Sequence, residues 1–482
     1  MEFEVSYTLD NEQQFWDELE EIVSVQCQSH ELIDNALRSY LTFVTNYKGL
    51  RCPLSTEKMG ERLSIGTGEY VQTEYDIARC SYRLLESSLF IENKDYVRRQ
   101  IVYSLLQEDS PDTLHLIIAF LLFDGQQNDI TFEMMKEEGG FPRLLELIQE
   151  GRDDDAGLHR MLLELLYEMS RIQRLRIEDL ILIEDEFVAY MFQIIEGLSD
   201  DVNDPYHYPV IRVVLILNEQ YMCSAHDPSP NQTTSPSTPL TNKVMKILSA
   251  QGSAYKTFGE NIILLLNRES ETSLQLLILK LLYLLFTTPP TYEYFYTNDL
   301  HVLLDIILRN LLDLPPSSTA LRHTYLRVLY PLLAHTQLKH PPHYKRNELV
   351  RLLAMMAEDD NQHFGAVDET TKRLVERCGR VGWLKDEEAS GSSPTWMKQR
   401  LLSVDLPSAM KSSLSVVEVT THREKPGVKT PSRMDDDRAN ENTGNIVDSS
   451  GTINNGAVTA GNDGIGKAMG VEKSPFEVEG EA

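Results

Sequence analysis

The sequence predicts an all-α fold: an armadillo-like helical-repeat solenoid followed by a disordered C-terminal tail. Three observations carry that reading. Runs that alternate apolar and polar residues are almost absent, and no convincing strand exceeds a few residues. From Leu274 to Phe286 the run LQLLILKLLYLLF carries only Gln275 and Lys280 as polar residues, so it is apolar nearly all round and needs neighbours on several sides. Helices too apolar to stand alone, following one another with short spacers, stack into a solenoid.

The elements follow in order. Asp10 or Asn11 can cap a first helix through Val25, and a second runs from Ser29 to about Tyr47. The stretch containing Gly66, Thr67 and Gly68 lacks apolar periodicity. No strand precedes it and no Lys-Ser/Thr follows, so it reads as a surface loop rather than a phosphate loop. Helices resume over Glu74 to Phe90 and Lys94 to Gln107, and then from Ser110-Pro111 to a stop expected at Asp124-Gly125. Gly139, Gly140 and Pro142 precede Leu144, Leu145, Leu147 and Ile148; a polar break then leads to a second leucine-rich helix. That pattern resembles an armadillo repeat, because glycines permit a sharp bend between helices and proline suits a first turn. Repeats of about 40 residues would accommodate eight or nine units before Asp386.

After Glu184 a helix runs to Gly197, and then YHYPVIRVVLILNEQYM surrounds Asn218 with apolar residues, with Arg212 and Glu219 expected on the opposite face. Asn218 reads either as a core amide bonded to a neighbouring loop or, with Glu219 and Gln220, as a groove contact for a partner. The segment near 224–241, SAHDPSPNQTTSPSTP, reads as a disordered insertion carrying Ser229-Pro230, Ser235-Pro236 and Thr238-Pro239, candidate proline-directed phosphorylation sites.

In NDLHVLLDIILRNLLDLP, Leu300, Leu303, Leu304, Ile307, Leu311 and Leu314 form one stripe. Asn298, Asp305 and Arg309 form the opposite side, a second candidate partner surface. Asn298 is a candidate cap and Pro315-Pro316 a stop. The next helix buries Leu321, Tyr325, Val328, Leu329 and Leu332, with a kink or exit expected at Pro331. Two further helices close the body, with Trp383 a candidate cap on the last layer. The reading therefore divides the chain into residues 1–388, the solenoid, and residues 389–482, a tail without apolar periodicity.

Composition bounds the function. The net charge is −29, from 74 acidic and 45 basic residues. From Asp386 onward there are 16 acidic and 10 basic residues, so the helical body carries −23. Such a surface repels phosphate backbones and anionic lipid and favours basic protein partners; neither nucleic acid nor membrane insertion is expected. Cys27, Cys52, Cys80, Cys223 and Cys378 are odd in number and never in a CxxC pair, which fits a reducing cytoplasm better than a disulfide framework. His335, His340 and His343 lack a carboxylate at ligand spacing, so no metal is expected, and no catalytic signature or cofactor motif stands out.

The region from Tyr208 to Leu333 resembles the leucine-rich domain of the WISH/DIP family, which includes the NCK-interacting protein with SH3 domain and smaller fungal relatives. The likeness lies in LILNEQ (Leu215 to Gln220), in Leu274 to Pro315 with its FYTNDL segment, and in LRHTYLRVLYPLL (Leu321 to Leu333). It implies a partner, the actin-related protein 2/3 complex, and an activity: promoting nucleation without a preformed filament, giving linear filaments that seed branched networks at cortical endocytic actin patches. SH3-domain endocytic proteins are further partners the family implies, although this chain has no SH3 domain and its tail lacks proline clusters. The alternative reading is a general armadillo scaffold or adaptor that binds basic peptides or proteins.

Overall fold

Capping residues and apolar periods set most helix boundaries where the sequence marks them. The computed structural model describes residues 9, 11–26, 29–48, 70–150, 155–197, 204, 207–225, 240–358, 360–361 and 365–385. These lie in one compact unit, Met1–Asp437. The glycine loop at 66–68, residues 226–239 of the insertion and the 388/389 boundary with its tail fall outside the described residues.

Helix α1 (Glu12–Val23) begins where the Asn11 side chain accepts from the Gln14 N–H, and α2 (His30–Asn46) where Ser29 does the same for Leu32. Phe15 and Phe43 stack between them with centroids 5.2 Å apart. A Thr73/Asp76 capping box opens α3 (Glu74–Glu86). The single helix expected to Phe90 breaks at Ser87, whose hydroxyl accepts from the Phe90 N–H at 3.2 Å and starts the short α4 (Ser88–Glu92). Then come α5 (Lys94–Gln107) and α6 (Pro111–Gln127), with Pro111 in the first turn.

Helix α6 runs through Asp124 and Gly125, where a stop was expected. Asp124 is buried and takes a two-pronged bond from Arg98 of α5 (2.6 and 2.9 Å). Gly125 serves close approach: a Cβ there would lie 2.2 Å from the Phe132 ring. The next three helices, α7 (Ile130–Glu137), α8 (Gly140–Glu150) and α9 (Ala156–Ile172), follow the armadillo-like pattern, with Gly139 at φ 84° making the bend.

The chain continues as α10 (Ile177–Leu182), α11 (Asp185–Glu196), α12 (Tyr208–Ser224), α13 (Lys243–Gln251), α14 (Lys256–Arg268) and α15 (Thr272–Thr287). It finishes with α16 (Thr297–Asp313), α17 (Thr319–His335), α18 (Arg346–Ala357) and α19 (Glu369–Gly379). A two-residue antiparallel pairing of Asp360–Asn361 with Gly365–Ala366 is the one strand pair among the described residues.

Helices α3, α6, α9, α12, α15, α17 and α19 stack each on the next to form an inner spine, and the other helices pack outside it. This is an all-α helical solenoid. Spine helices recur about every fifty residues, longer than the armadillo period. The described residues therefore hold seven spine layers rather than the eight or nine that a shorter repeat suggested.

The core centres on α15. From Ser273 to Phe286 every residue except Gln275 is buried, as its all-round apolar character required. Each buried leucine contributes roughly 1.5–3 kcal/mol. On α16, Leu300, Leu303, Leu304, Ile307 and Leu311 are wholly buried, and Leu314 partly. Asn298 is not the cap of α16. It lies inside the first turn, and the Asp299 carboxylate accepts from the Tyr296 N–H at 3.3 Å instead.

Helix α17 continues through Pro331 rather than leaving there, because the flanking Leu329, Leu332 and Leu333 are all buried and hold the last turn in place. The end of the body is closed as the sequence suggested. The Trp383 indole donates to the Leu333 carbonyl at 3.0 Å, and Arg346 donates to the Trp383 and Leu384 carbonyls, each at 3.0 Å. Among the described residues no helix is long and apolar enough to cross a membrane.

Candidate partner-binding surface

The first candidate cluster, Asn218, Glu219 and Gln220, lies in the interior of α12, each side chain 0% exposed. In this fold none of the three reaches the surface, and Glu219 is not on an outer face. Each instead ties α12 to a different neighbour. The Asn218 carbonyl oxygen accepts from the amide of Asn242 at 2.8 Å, and Asn242 caps α13. The Lys280 ammonium on α15 donates to Glu219 at 2.8 Å, a fully enclosed ion pair between two spine helices. Gln220 accepts from the Leu175 N–H at 3.0 Å and donates to the Gln173 carbonyl at 3.0 Å, satisfying the backbone that leaves α9. The LNEQ segment is thus a three-way structural brace.

The second cluster is divided. Asn298 and Arg309 are exposed, and among the described residues Arg309 bonds its neighbour Asn310 and the Asn267 carbonyl, the latter at 3.4 Å. Asp305 is half-buried and engaged: Lys345 lies 3.0 Å away and the Tyr344 hydroxyl donates to it at 3.0 Å. It joins α16 to the start of α18. Asn298 and Arg309 remain available to a partner.

The FYTNDL segment and the Tyr294 that precedes it also have a packing role. Tyr294 and Phe295 are buried against α14, where a Cβ on Gly259 would lie 2.9 Å from the Tyr294 ring and 3.2 Å from Phe295. Lys256 bonds the Tyr294 carbonyl and stands over the Tyr294 and Tyr296 rings at 5.0 and 4.8 Å.

A third feature escaped sequence reasoning. Inward of their end turns, α9 and α12 are buried except at Arg160, Glu164, Arg171 and Arg212. The three α9 positions fall close to one stripe of the helix, and Arg212 lies beside it on the neighbouring spine helix. Arg160 pairs with Glu74 of α3. Arg171 and Arg212 both approach Glu168, at 2.6 and 3.6 Å. The Arg212 guanidinium also lies over the Tyr167 ring, 4.0 Å from its centroid. Among the described residues Glu164 makes no hydrogen bond and no ion pair within 4 Å. Burial pushes its carboxyl above the ordinary value; Arg212 and Arg160 oppose that rise, and Glu168 and Glu74 add to it. The signal was present in LLELLYEMSR, where charges interrupt an otherwise apolar helix at spacings of three and four.

Elsewhere, polar groups are structural. His335 bonds the Phe286 carbonyl at 2.7 Å and stacks on Tyr292, and His343 stacks on Trp383. Cys80, Cys223 and Cys378 are buried, and burial pushes the thiols of Cys80 and Cys378 up to about 12. Among the described residues no group of three His, Cys, Asp or Glu converges as a metal site. What the arrangement offers is a stack of helices with a charged strip open on the inner layers of its spine.

Residues 203–349 match the family described as SPIN90/Ldb17, leucine-rich domain, a span that encloses the LNEQ brace, α15, α16 and α17. The chain is 30% identical over 395 residues to Protein dip1 of Schizosaccharomyces pombe, covering 81% of this chain and 99% of that one. Protein LDB17 of Saccharomyces cerevisiae is 28% identical over 74% of this chain and 76% of its own. Its counterpart from Eremothecium gossypii is 28% identical over 72% and 75%. With the match running along 99% of the fission-yeast relative, this chain belongs to the SPIN90/Ldb17 family.

Proposed function

We propose that the chain is a non-catalytic nucleation-promoting factor that binds and activates the actin-related protein 2/3 complex without a preformed filament, and that it works at cortical actin patches. The observation that carries this reading is the leucine-rich segment itself. The residues that resemble the WISH/DIP domain, Leu215 to Gln220, Leu274 to Pro315 and Leu321 to Leu333, form the bracing centre of the solenoid. The mechanism is conformational. A stiff stack of helices that fits the activated arrangement of the complex better than the resting one shifts its population in proportion to that difference in affinity. Such a mechanism needs surface and rigidity rather than acid–base chemistry. Asn298 and Arg309 are proposed contacts on the outer side, and SH3-domain endocytic proteins are proposed as additional partners.

The test is assembly of pyrene-labelled actin with the purified full chain and the actin-related protein 2/3 complex, without added filaments. The lag should shorten and microscopy should show linear products. A folded chain that neither binds the complex nor shortens the lag would remove this reading and leave the scaffold for basic proteins, which the acidic surface favours.

A further inference from the structure

Inward of their end turns, the spine helices α6, α9, α12, α15 and α17 are almost sealed, and the strip on α9 and α12 is where their charged side chains meet solvent. Along it Glu74, Glu164, Glu168 and Glu271 accompany Arg160, Arg171 and Arg212. Arg160 is paired with Glu74 and Arg171 with Glu168, while Arg212 lies over the Tyr167 ring 3.6 Å from Glu168, its buried Nε without a hydrogen-bond partner among the described residues. Glu164 is the carboxylate left over. It is half-buried, and among the described residues neither a hydrogen bond nor an ion pair satisfies it. A solvated glutamate on an outer helix would need no explanation. One held between two spine helices loses hydration and recovers only the longer-range attraction of Arg212 and Arg160, and such a cost is typical of groups kept for a ligand.

We propose that the spine face around Glu164 is a receptor for a cationic side chain, an arginine guanidinium or lysine ammonium carried by a basic segment of a protein partner. Charge complementarity supports that occupant. The helical body is strongly acidic, and the strip holds the four carboxylates of Glu74, Glu164, Glu168 and Glu271 against the three guanidinium groups of Arg160, Arg171 and Arg212. An incoming cation would give Glu164 the charge-assisted bonds it lacks. The inference concerns the class of side chain recognised and holds whether or not the partner is the actin-related protein 2/3 complex.

The test uses the full chain and a fluorescent polyarginine peptide, followed by anisotropy, with a polyglutamate peptide as the opposite-charge probe. Glu164→Gln should weaken polyarginine binding about tenfold, the loss expected for one charge-assisted bond. Its melting temperature should stay level or rise, since the variant removes a desolvated charge. Glu137→Gln, which removes one charge from an exposed position on α7, should bind like the parent. The proposal is overturned if Glu164→Gln binds as tightly as the parent, if Glu137→Gln weakens binding equally, or if Glu164→Gln melts lower. The last result would make the carboxylate a structural member. Because the actin assay is not involved, failure here leaves the proposed function untouched, and the reverse also holds.

Discussion

Two sets of polar side chains interrupt the apolar spine, and their surroundings differ in kind. Asn218, Glu219 and Gln220 of α12 are sealed inside, each matched to a partner on another element. Glu164 of α9, one spine layer away, is half-open and matched to none among the described residues. The first set fixes how neighbouring helices sit; the second leaves interaction capacity unspent. Polarity within an apolar helix is therefore ambiguous until its partners are known. Substitution at a satisfied group should damage folding, whereas substitution at an unsatisfied one should spare it.

The largest effect is expected at the ion pair between α12 and α15. Lys280→Met leaves Glu219 charged in a dry interior and should cost about 3–5 kcal/mol, read by chemical denaturation. Replacing both partners, Glu219→Leu with Lys280→Met, should recover most of that loss, because the isolated charge rather than the missing attraction dominates. A double variant as unstable as the single would show that the pair holds the spine through its attraction.

A smaller loss is expected at Asn218. Asn218→Ala leaves the Asn242 amide short of a partner at the start of α13 and should cost about 1–3 kcal/mol. Partner binding per folded molecule should not change. Unchanged stability with lost binding would return Asn218 to the role of a contact.

The smallest effect concerns acid. The Glu164 pKa is raised above its ordinary 4.5 by burial, with Arg212 and Arg160 pulling down and Glu168 and Glu74 pushing up. Folding thus disfavours its charged form. Lowering the pH through the raised value should relieve that penalty, so the stability gap between Glu164→Gln and the parent should narrow. Over the same window the parent should lose affinity for polyarginine, since only the carboxylate attracts it. A gap that widens on acidification would contradict the assigned direction.

Much of the fold was legible in the residues. The all-round apolarity of Leu274 to Phe286 required a central helix, and the leucine stripe of α16 named its buried side correctly. Gly125 and the exit reading of Pro331 misled because helix-stop rules describe isolated segments. Here the Phe132 ring needs the space at Gly125, and the buried leucines around Pro331 keep α17 helical. The candidate surface was less legible. A helix buried on every side loses the periodicity that separates inner from outer positions, so Asn218 and Glu219 could not be assigned a face. Arg160, Glu164 and Glu168 have the spacing of an ordinary solvated stripe, and only the stacking of α9 on α12 shows that they border the interior.

The central claim is that satisfied polar groups hold the spine while Glu164 is held ready for a cation. The most direct measurement crosses two variants, Asn218→Ala and Glu164→Gln, with two readouts, the melting temperature and polyarginine affinity of the full chain. The account predicts opposite corners: Asn218→Ala melts lower and binds normally once folded, whereas Glu164→Gln melts as high or higher and binds about tenfold more weakly. If both variants lose stability together, or both keep their affinity, the distinction between the two sets of residues is wrong.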